Sequence, residues 1–395
     1  MRLVQLFILF FFISCINVSG QTSIDLILTE IRNNNKTLQT TVQLWEAQKL
    51  KYQTGNSIYD PFIELDYLQG SPSGAGNETD LSVIQSFDFP SAYIKKKKVS
   101  EAQIAKADYY INEVRQNILL EAKLICLELI YLNKFNIHLE KRKNDTGKWV
   151  QNFETLLSSG GGNILDVNKA RLQLIEIKKE YQSNRSKIEQ LNQRLTQLNG
   201  GIQINLTDTI YPEITIVENF TELTEKITEN DPARKYLLQE VEIAKKQVGL
   251  QKALWLPKFE TGYRYKTLLN ETFNGIHLGL TIPLWENKNT VKSARAMVNY
   301  SESNLQQHLN DRFYETKQEY ESYTNLLTSL TEYQNLFNSM NSIELLNKSF
   351  QYGEISSMEY FVEVGFYYQA LQNFLKTENE YYQSIARLYS YQLID

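Results

Sequence analysis

Pro257-Lys-Phe-Glu-Thr-Gly-Tyr-Arg-Tyr-Lys266 and Ile276-His-Leu-Gly-Leu-Thr-Ile-Pro283 lie close together in the chain, and both alternate. In the first, Phe259, Thr261, Tyr263 and Tyr265 alternate with Glu260, Gly262, Arg264 and Lys266. In the second, Ile276, Leu278, Leu280 and Ile282 alternate with His277, Gly279 and Thr281. A period of two, with one apolar face and one polar or small face, marks β-strands covered on one side only. Residues 269–275 between them read as a hairpin loop. Beyond Pro283 the pattern changes. Neither proline nor glycine occurs again before Gly353, and at about 1.5 Å per residue that stretch encodes a helix of roughly 100 Å. A globular domain has no use for such a rod.

The same plan stands upstream. Ile63, Leu65 and Tyr67 alternate on one strand, and Leu81, Val83, Phe87 and Phe89 on the next, with 70–77 as the loop. From Pro90 to Gly160 no further proline interrupts a second rod, and Gly147 is its one internal glycine. The spacings repeat: Asn35 to Pro61 and Asp231 to Pro257 are both 26 residues, and Pro90 to Gly160 and Pro283 to Gly353 are both 70. Only the stretch between the paired prolines differs, 29 residues against 26. A period near 195 is far longer than a solenoid repeat, so the chain reads as an internal duplication. Its units are 1–20 as a signal segment, 21–198 as a first repeat, 199–230 as a link and 231–395 as a second repeat. Each repeat opens with a helix, from Lys36 and from Pro232. Asp231 before Pro232 joins a capping side chain to a proline at the first helical position. After each rod a second helix returns. From Val167 to Leu198 it keeps a heptad: Val167, Leu174, Tyr181, Ile188 and Leu195 at one position, Ala170, Ile177, Asn184, Leu191 and Leu198 at the other. This is a coiled-coil seam with Asn184 as a register-fixing polar residue, stopped by Gly200-Gly201. Tyr367, Ala370, Phe374, Tyr381 and Leu388 form a weaker counterpart.

Arg2, the apolar run Leu6–Ile13 and the small residues before Gln21 read as an export signal cleaved after Gly20; acylation at Cys15 is the second reading. Cys126 is then the remaining cysteine, in an apolar stretch that suits a small buried hydrophobe. No later segment approaches the eighteen or so apolar residues of a spanning helix, so a place in a membrane requires a barrel. Four strands cannot close one, since the smallest closed membrane barrels have about eight. Strands from two chains would make eight, and from three chains twelve. The net charge of −5 gives no reason to expect nucleic acid. His138, His277 and His308 show neither metal spacing nor a catalytic partner pattern and read as incidental, so neither a cofactor nor an enzyme is expected.

The order helix, hairpin, long helix, return helix, twice over, resembles the TolC-like outer-membrane efflux family. Leu254-Trp-Leu-Pro-Lys-Phe259 is similar to that family's approach to a strand, and Leu278-Gly-Leu-Thr-Ile-Pro-Leu-Trp-Glu-Asn287 to its exit into a long helix. Gly160, Ile164-Leu-Asp-Val167 and Ala170 resemble its tip turn. Asn35-Lys36 departs from the Asn-Pro or Asp-Pro usual there, and Asp60-Pro61-Phe62 is a shortened strand approach. The resemblance spans nearly all of 22–391. It implies a mainly α fold with a small β-barrel portion: a homotrimer whose four strands per chain complete a 12-stranded transmembrane barrel over a helical cylinder. It implies an outer-membrane site in a Gram-negative bacterium, contact with outer-membrane lipid and a large periplasmic portion. The partners implied are a periplasmic adaptor and an inner-membrane efflux pump, with motifs similar to the branch that serves resistance-nodulation-division pumps. The alternative from a different class is a non-transport periplasmic coiled-coil adaptor or scaffold.

Pro61, Pro90, Pro257 and Pro283 are expected at the strand–helix junctions. Asn163-x-x-Asp166 and Ser356-x-x-Glu359 have the form of capping boxes; the resemblance additionally assigns Asp166 and Glu359 to a periplasmic gate. Gly160, Gly161, Gly162 and Gly353 are chain-reversal residues, and by resemblance Gly160, Gly161, Gly353, Ser356 and Ser357 form the adaptor-docking tip. Lys95–Lys98 read as a solvated run or a contact to anionic lipid. Peptide sequencing of the exported protein should begin at Gln21; a blocked, acylated Cys15 would overturn the simple-cleavage reading.

Overall fold

The computed structural model describes residues 23–213, 217–339 and 342–394; the signal segment and Cys15 lie outside them. Helices α1 (Ser23–Asn34) and α2 (Lys36–Gln53) lead to strands β1 (Phe62–Gln69) and β2 (Asn77–Phe87), the long helix α3 (Pro90–Ser158) and its return α4 (Ile164–Leu198). Helices α5 (Phe220–Asn230) and α6 (Pro232–Ala253) then precede β3 (Lys258–Leu268), β4 (Glu271–Thr281), α7 (Thr290–Ser339), α8 (Ser342–Gln351) and α9 (Ser357–Leu388).

Helix α3 runs 69 residues without a break, about 100 Å at the usual rise. The second rod differs from the sequence expectation at its start. Pro283 does not open a helix: α7 starts only at Thr290, is described to Ser339, and α8 carries the helical stretch on from Ser342 to Gln351. Asparagines explain the delay. Asn287 turns its amide to the Leu254 carbonyl at 2.6 Å, and Asn289 sits at φ 67°, a left-handed conformation that asparagine tolerates better than most residues. The segment 199–230, expected as a link, carries α5, and α1 precedes the helix expected at Lys36. Asn35 joins α1 to α2: its Oδ1 accepts from the Leu38 amide at 2.9 Å and its Nδ2 donates to the Leu198 carbonyl at 2.7 Å. Asp231 takes the corresponding place between α5 and α6.

The strands form one antiparallel sheet in the order β1-β2-β3-β4. The β3–β4 loop is shorter than expected. Leu268 pairs with Glu271, and Leu269 and Asn270 alone turn the chain, both at positive φ (52° and 68°), the geometry that suits a two-residue hairpin between twisted strands.

Helix α4 packs on α3 through the heptad seam. Val167, Ala170, Ile177, Asn184, Leu195 and Leu198 are buried, and the other four seam residues are half-buried. Each fully buried aliphatic side chain here stabilises by roughly 1.5–3 kcal/mol. Asn184 donates to the Leu132 carbonyl (3.0 Å) and to Asn136 Oδ1 (3.3 Å), so a slip of the seam would orphan a buried amide. The main core forms a belt midway down the rods, where Ile24, Leu28 and Ile31 of α1 meet Cys126, Leu127 and Ile130 of α3 and Leu195 of α4. Burial pushes the Cys126 thiol up to about 12, which suits its place as a small apolar filler.

Both glycines that end α4 have positive φ, but only Gly200 lacks room. A methyl group there would lie 2.3 Å from the Asn34 carbonyl oxygen, whereas one on Gly201 would meet nothing. Gly201→Ala should therefore cost about 1–2 kcal/mol from backbone strain alone, and Gly200→Ala clearly more. Chemical denaturation of the two variants side by side checks the order.

Candidate functional site

The sheet register brings the four alternating patterns onto one face. Ile63 pairs with Val83, Val83 with Tyr263, and Tyr263 with Ile276; Phe87 pairs with Phe259, and Phe259 with Leu280. In the single chain this face is bare: Ile63 and Leu65 are 65% exposed, Ile276 81% and Leu278 78%. The other face is polar. Arg264 clasps Asp80 through two nitrogens (2.9 and 2.5 Å), Lys266 pairs with Glu78, and Ser86 donates to Glu260 at 3.3 Å. Among the described residues, strands β1 and β4 each have one unpaired edge. An apolar outer face, a charged inner face and two open edges are the properties of an arc of a larger membrane barrel.

At the junctions Pro61 and Pro257 stand immediately before β1 and β3, and Pro90 is the first residue of α3. Pro283 follows β4 by two residues without starting a helix. Asp88, buried beside Pro90, accepts from Lys96 Nζ at 2.8 Å and from the Tyr59 hydroxyl at 3.2 Å. Lys96 is therefore a structural ion-pair partner and not part of a solvated run, while Lys97 and Lys98 remain exposed.

At the far end both hairpins reverse in the same way. Gly160 (φ 81°) and Gly353 (φ 75°) follow α3 and α8 in left-handed conformation. The next amides reach back to the helix, Gly161 N–H to the Leu156 carbonyl at 3.0 Å and Glu354 N–H to the Ser349 carbonyl at 2.8 Å. These are Schellman closures, which favour glycine at the left-handed residue. Gly162 is restricted differently, because a Cβ there would lie 2.5 Å from the Leu157 amide nitrogen.

The two acidic residues behave unlike one another. Glu359 closes a capping box: its carboxylate accepts from the Ser356 amide (2.9 Å) and hydroxyl (2.8 Å), which holds it below the usual carboxylate range. Asp166 closes no such box. Asn163 caps α4 by accepting from the Leu165 amide at 2.9 Å, and Asp166 instead accepts from the Ser357 hydroxyl of the other hairpin at 2.9 Å. The structure thus brings Asp166 to Ser357 but leaves Glu359 exposed on its own cap. Around them an aromatic cluster joins the hairpins: Trp149 lies 4.7 Å from Phe350, Phe350 4.6 Å from Tyr360, and Phe153 6.0 Å from Phe361 between ring centres. Sequence reading missed this cluster, although Trp149 and Phe153 stand at helical spacing.

It also read His308 as incidental, whereas the structure gives it a partner. Its Nε2 lies 2.7 Å from Asp231 Oδ2 and ties α7 to the cap of α6. The hydrogen bond to Asp231 raises His308 above the ordinary imidazole range despite partial burial. Burial pushes Asp231 up, but its bonds to His308 and to the Ala233 amide outweigh this and leave it lowered. Arg312 and the half-buried Glu113 also face the pair.

A membrane-type sheet arc set on two antiparallel helical hairpins defines the TolC-like outer-membrane channel fold. No protein-family model matches the chain, and no curated protein does. Solved structures do. CusC, described as forming a transmembrane channel, superposes with a TM-score of 0.78 at 15% identity over 95% of this chain and 92% of its own. The outer membrane channel CmeC of Campylobacter jejuni gives 0.72 at 15% identity over 93% and 85%. The outer membrane protein VceC of Vibrio cholerae gives 0.71 at 14% identity over 94% of each chain. At such identities the likeness is one of fold.

The His308–Asp231 pair should make stability depend on pH. The raised His308 contributes fully below its unfolded pKa of about 6.5 and loses that contribution as pH rises through its higher folded value; the lowered Asp231 contributes above about 3.9 and loses it as pH falls through its folded value. His308→Gln should accordingly lower the melting temperature at pH 6 and much less at pH 9. Circular dichroism melts at the two pH values check this; equal losses at both would show that the pair carries no charge-dependent stability.

Proposed function

We propose that the protein is an outer-membrane channel, the passive exit duct of a tripartite efflux system. The observation that carries this reading is the bare apolar sheet face with two unpaired edges. In water it would drive aggregation; in a bilayer, with edges closed by other copies, every strand is satisfied. A periplasmic adaptor or scaffold has no use for such a face. Three copies supply 12 strands, with the charged sheet face lining the lumen and the apolar face meeting outer-membrane lipid. The helical hairpins extend into the periplasm, and energy comes from an inner-membrane pump of the resistance-nodulation-division type. A periplasmic adaptor links the two, docking on the hairpin ends at Gly160, Gly161, Gly353, Ser356 and Ser357. Asp166 and Glu359 place six carboxylates around the periplasmic opening, where they favour cations. The duplicated units 21–198 and 231–395, joined through 199–230, supply alternating sectors of the cylinder, with 1–20 removed on export.

The protein should fractionate with the outer membrane and run as a trimer in native mass measurement; a monomer would remove the barrel reading. In planar bilayers the channel should prefer cations. Asp166→Asn with Glu359→Gln keeps acceptors for Ser357 and Ser356, so melting should change little while the preference for cations weakens. An unchanged ion preference would make the two carboxylates caps only. Gly353→Val, which forces a β-branched residue into a left-handed turn, should abolish export in cells while trimers still form; full export would sink the docking assignment.

A further inference from the structure

Basic residues crowd the helical side of the sheet. The thirteen residues next to the sheet at each junction, 49–61, 90–102, 245–257 and 283–295, together hold twelve basic and three acidic side chains. The rest of the chain holds twenty-nine and forty-three. A chain of net charge −5 is thus strongly positive along one narrow band. Ion pairs use only part of that charge. Lys49, Lys96, Lys245 and Lys246 bond carboxylates. Lys97, Lys98, Lys252, Lys288, Lys292 and Arg295 are exposed, and among the described residues none of them is paired with a carboxylate.

Exposed apolar side chains stand among these charges. Ile94 lies one helical turn before Lys97 and Lys98, and Leu284 and Trp285 come shortly before Lys288. Trp285 is 80% exposed. A merely solvated surface has no need of them. An indole beside lysines suits the boundary between hydrocarbon and headgroups, because each side chain has an apolar body and a polar end.

Direction and height agree with that boundary. Phe87 and Phe89 face the apolar side of the sheet: Phe87 pairs with Phe259, and the Phe89 ring lies 6.1 Å from that of Phe259. Asp88, between them, turns to the other side, and Lys96 follows it there. At about 100° per residue, Ile94 and Lys98 stand roughly 160–200° from Lys96 on α3, so they point the way of the apolar face. Lys97 and Lys98 are about 10–12 Å along the helix from Pro90. A headgroup layer is about 5–8 Å deep, and the flexible stem of a lysine carries its ammonium back toward it.

We propose that this band is a binding collar for anionic phospholipid in the periplasmic leaflet, its unpaired lysines and Arg295 holding the phosphates of lipids that line the apolar sheet face. This rests on the reading of the protein as an outer-membrane channel and adds the lipid class and the residues that select it. Every phospholipid carries a phosphate. A zwitterionic one also carries an ammonium, which the collar repels, so net lipid charge decides the preference.

Lipid titration of the full-length protein tests it. Delipidated protein in mild detergent is titrated with phosphatidylglycerol or phosphatidylethanolamine, and bound lipid is counted by native mass measurement. Wild type should bind phosphatidylglycerol at least about tenfold more tightly, and added salt should erode the difference. Lys97→Gln with Lys98→Gln and Lys288→Gln should reduce the preference to about twofold or less. Lys178→Gln with Lys179→Gln and Lys187→Gln removes the same charge from exposed positions on α4, far from the sheet, and should leave the preference intact. Lysine and glutamine are similar helix formers, so helicity by circular dichroism should match wild type in both variants. Equal binding of the two lipids by wild type overturns the collar, and so does a preference that both variants keep or both lose. A changed channel conductance with the lipid preference intact would turn these lysines toward the lumen and equally overturn it. A protein absent from the outer-membrane fraction would instead sink the channel reading itself.

Discussion

An antiparallel sheet of four strands with one largely apolar face cannot be satisfied within one chain, and the rest of the molecule follows from that. Its outer edges on β1 and β4 present backbone donors and acceptors with nothing to meet, and Ile276 and Leu278 stand almost fully in solvent. Water would pay no price for the edges but a large one for the face; lipid reverses both costs. Copies of the same chain, as proposed, would resolve the conflict, because closing the edges with other strands would leave lipid only the apolar face to meet. The polar face, with Asp80 and Arg264 in a two-pronged pair, is tolerable beside lipid only if it is turned inward.

The helical part solves a different problem, keeping a narrow structure about 100 Å long in one register. Aliphatic heptads hold α4 to α3 but fix sliding weakly. Asn184, buried and bonded to the α3 backbone, adds what they lack. At the middle, α1, the 199–213 segment and α5 wrap the rods, with Ile204, Leu206 and Tyr211 inserted into the belt. At the membrane end the buried Asp88 is neutralised by Lys96 across the turn at Pro90, so a charge near the sheet is carried without cost to the helix start.

Strands and rods were legible because their evidence is periodic and local. Ile63, Val83, Tyr263 and Ile276 each fell on the expected side of an alternating strand, and the register then aligned them. Helix α5 was also legible in principle, through Phe220, Leu223 and Ile227 after the capping Asn219, but its short span sat in a stretch read as a link. The late start of α7 was not legible, because it depends on Asn287 reaching the Leu254 carbonyl across the sheet junction. The same holds for the candidate site. Gly160 and Gly353 announce their turns by residue type, and Ser356 and Glu359 announce a cap by spacing. That Asp166 turns from its own cap to Ser357, or that His308 meets Asp231, depends on which helices lie side by side.

The tip also shows which parts of the chain behave as one body. Polar contact between its hairpins is thin, with Ser357 donating to Asp166 and Lys169 to the Met358 sulfur at 3.6 Å. Packing is not thin. Val150, Phe153, Val167 and Ala170 of the first hairpin form a cluster with Phe350 and Phe361 of the second, and aromatic pairs of this kind contribute about 0.5–1.5 kcal/mol each beyond the area they bury. Parting the hairpins of one chain would forfeit several such contacts together and expose their faces to water, whereas Ser357 and Asp166 would exchange their bond for water at little loss. Separation of the two hairpins at this end is therefore opposed mainly by their aromatic cluster and only weakly by polar bonds.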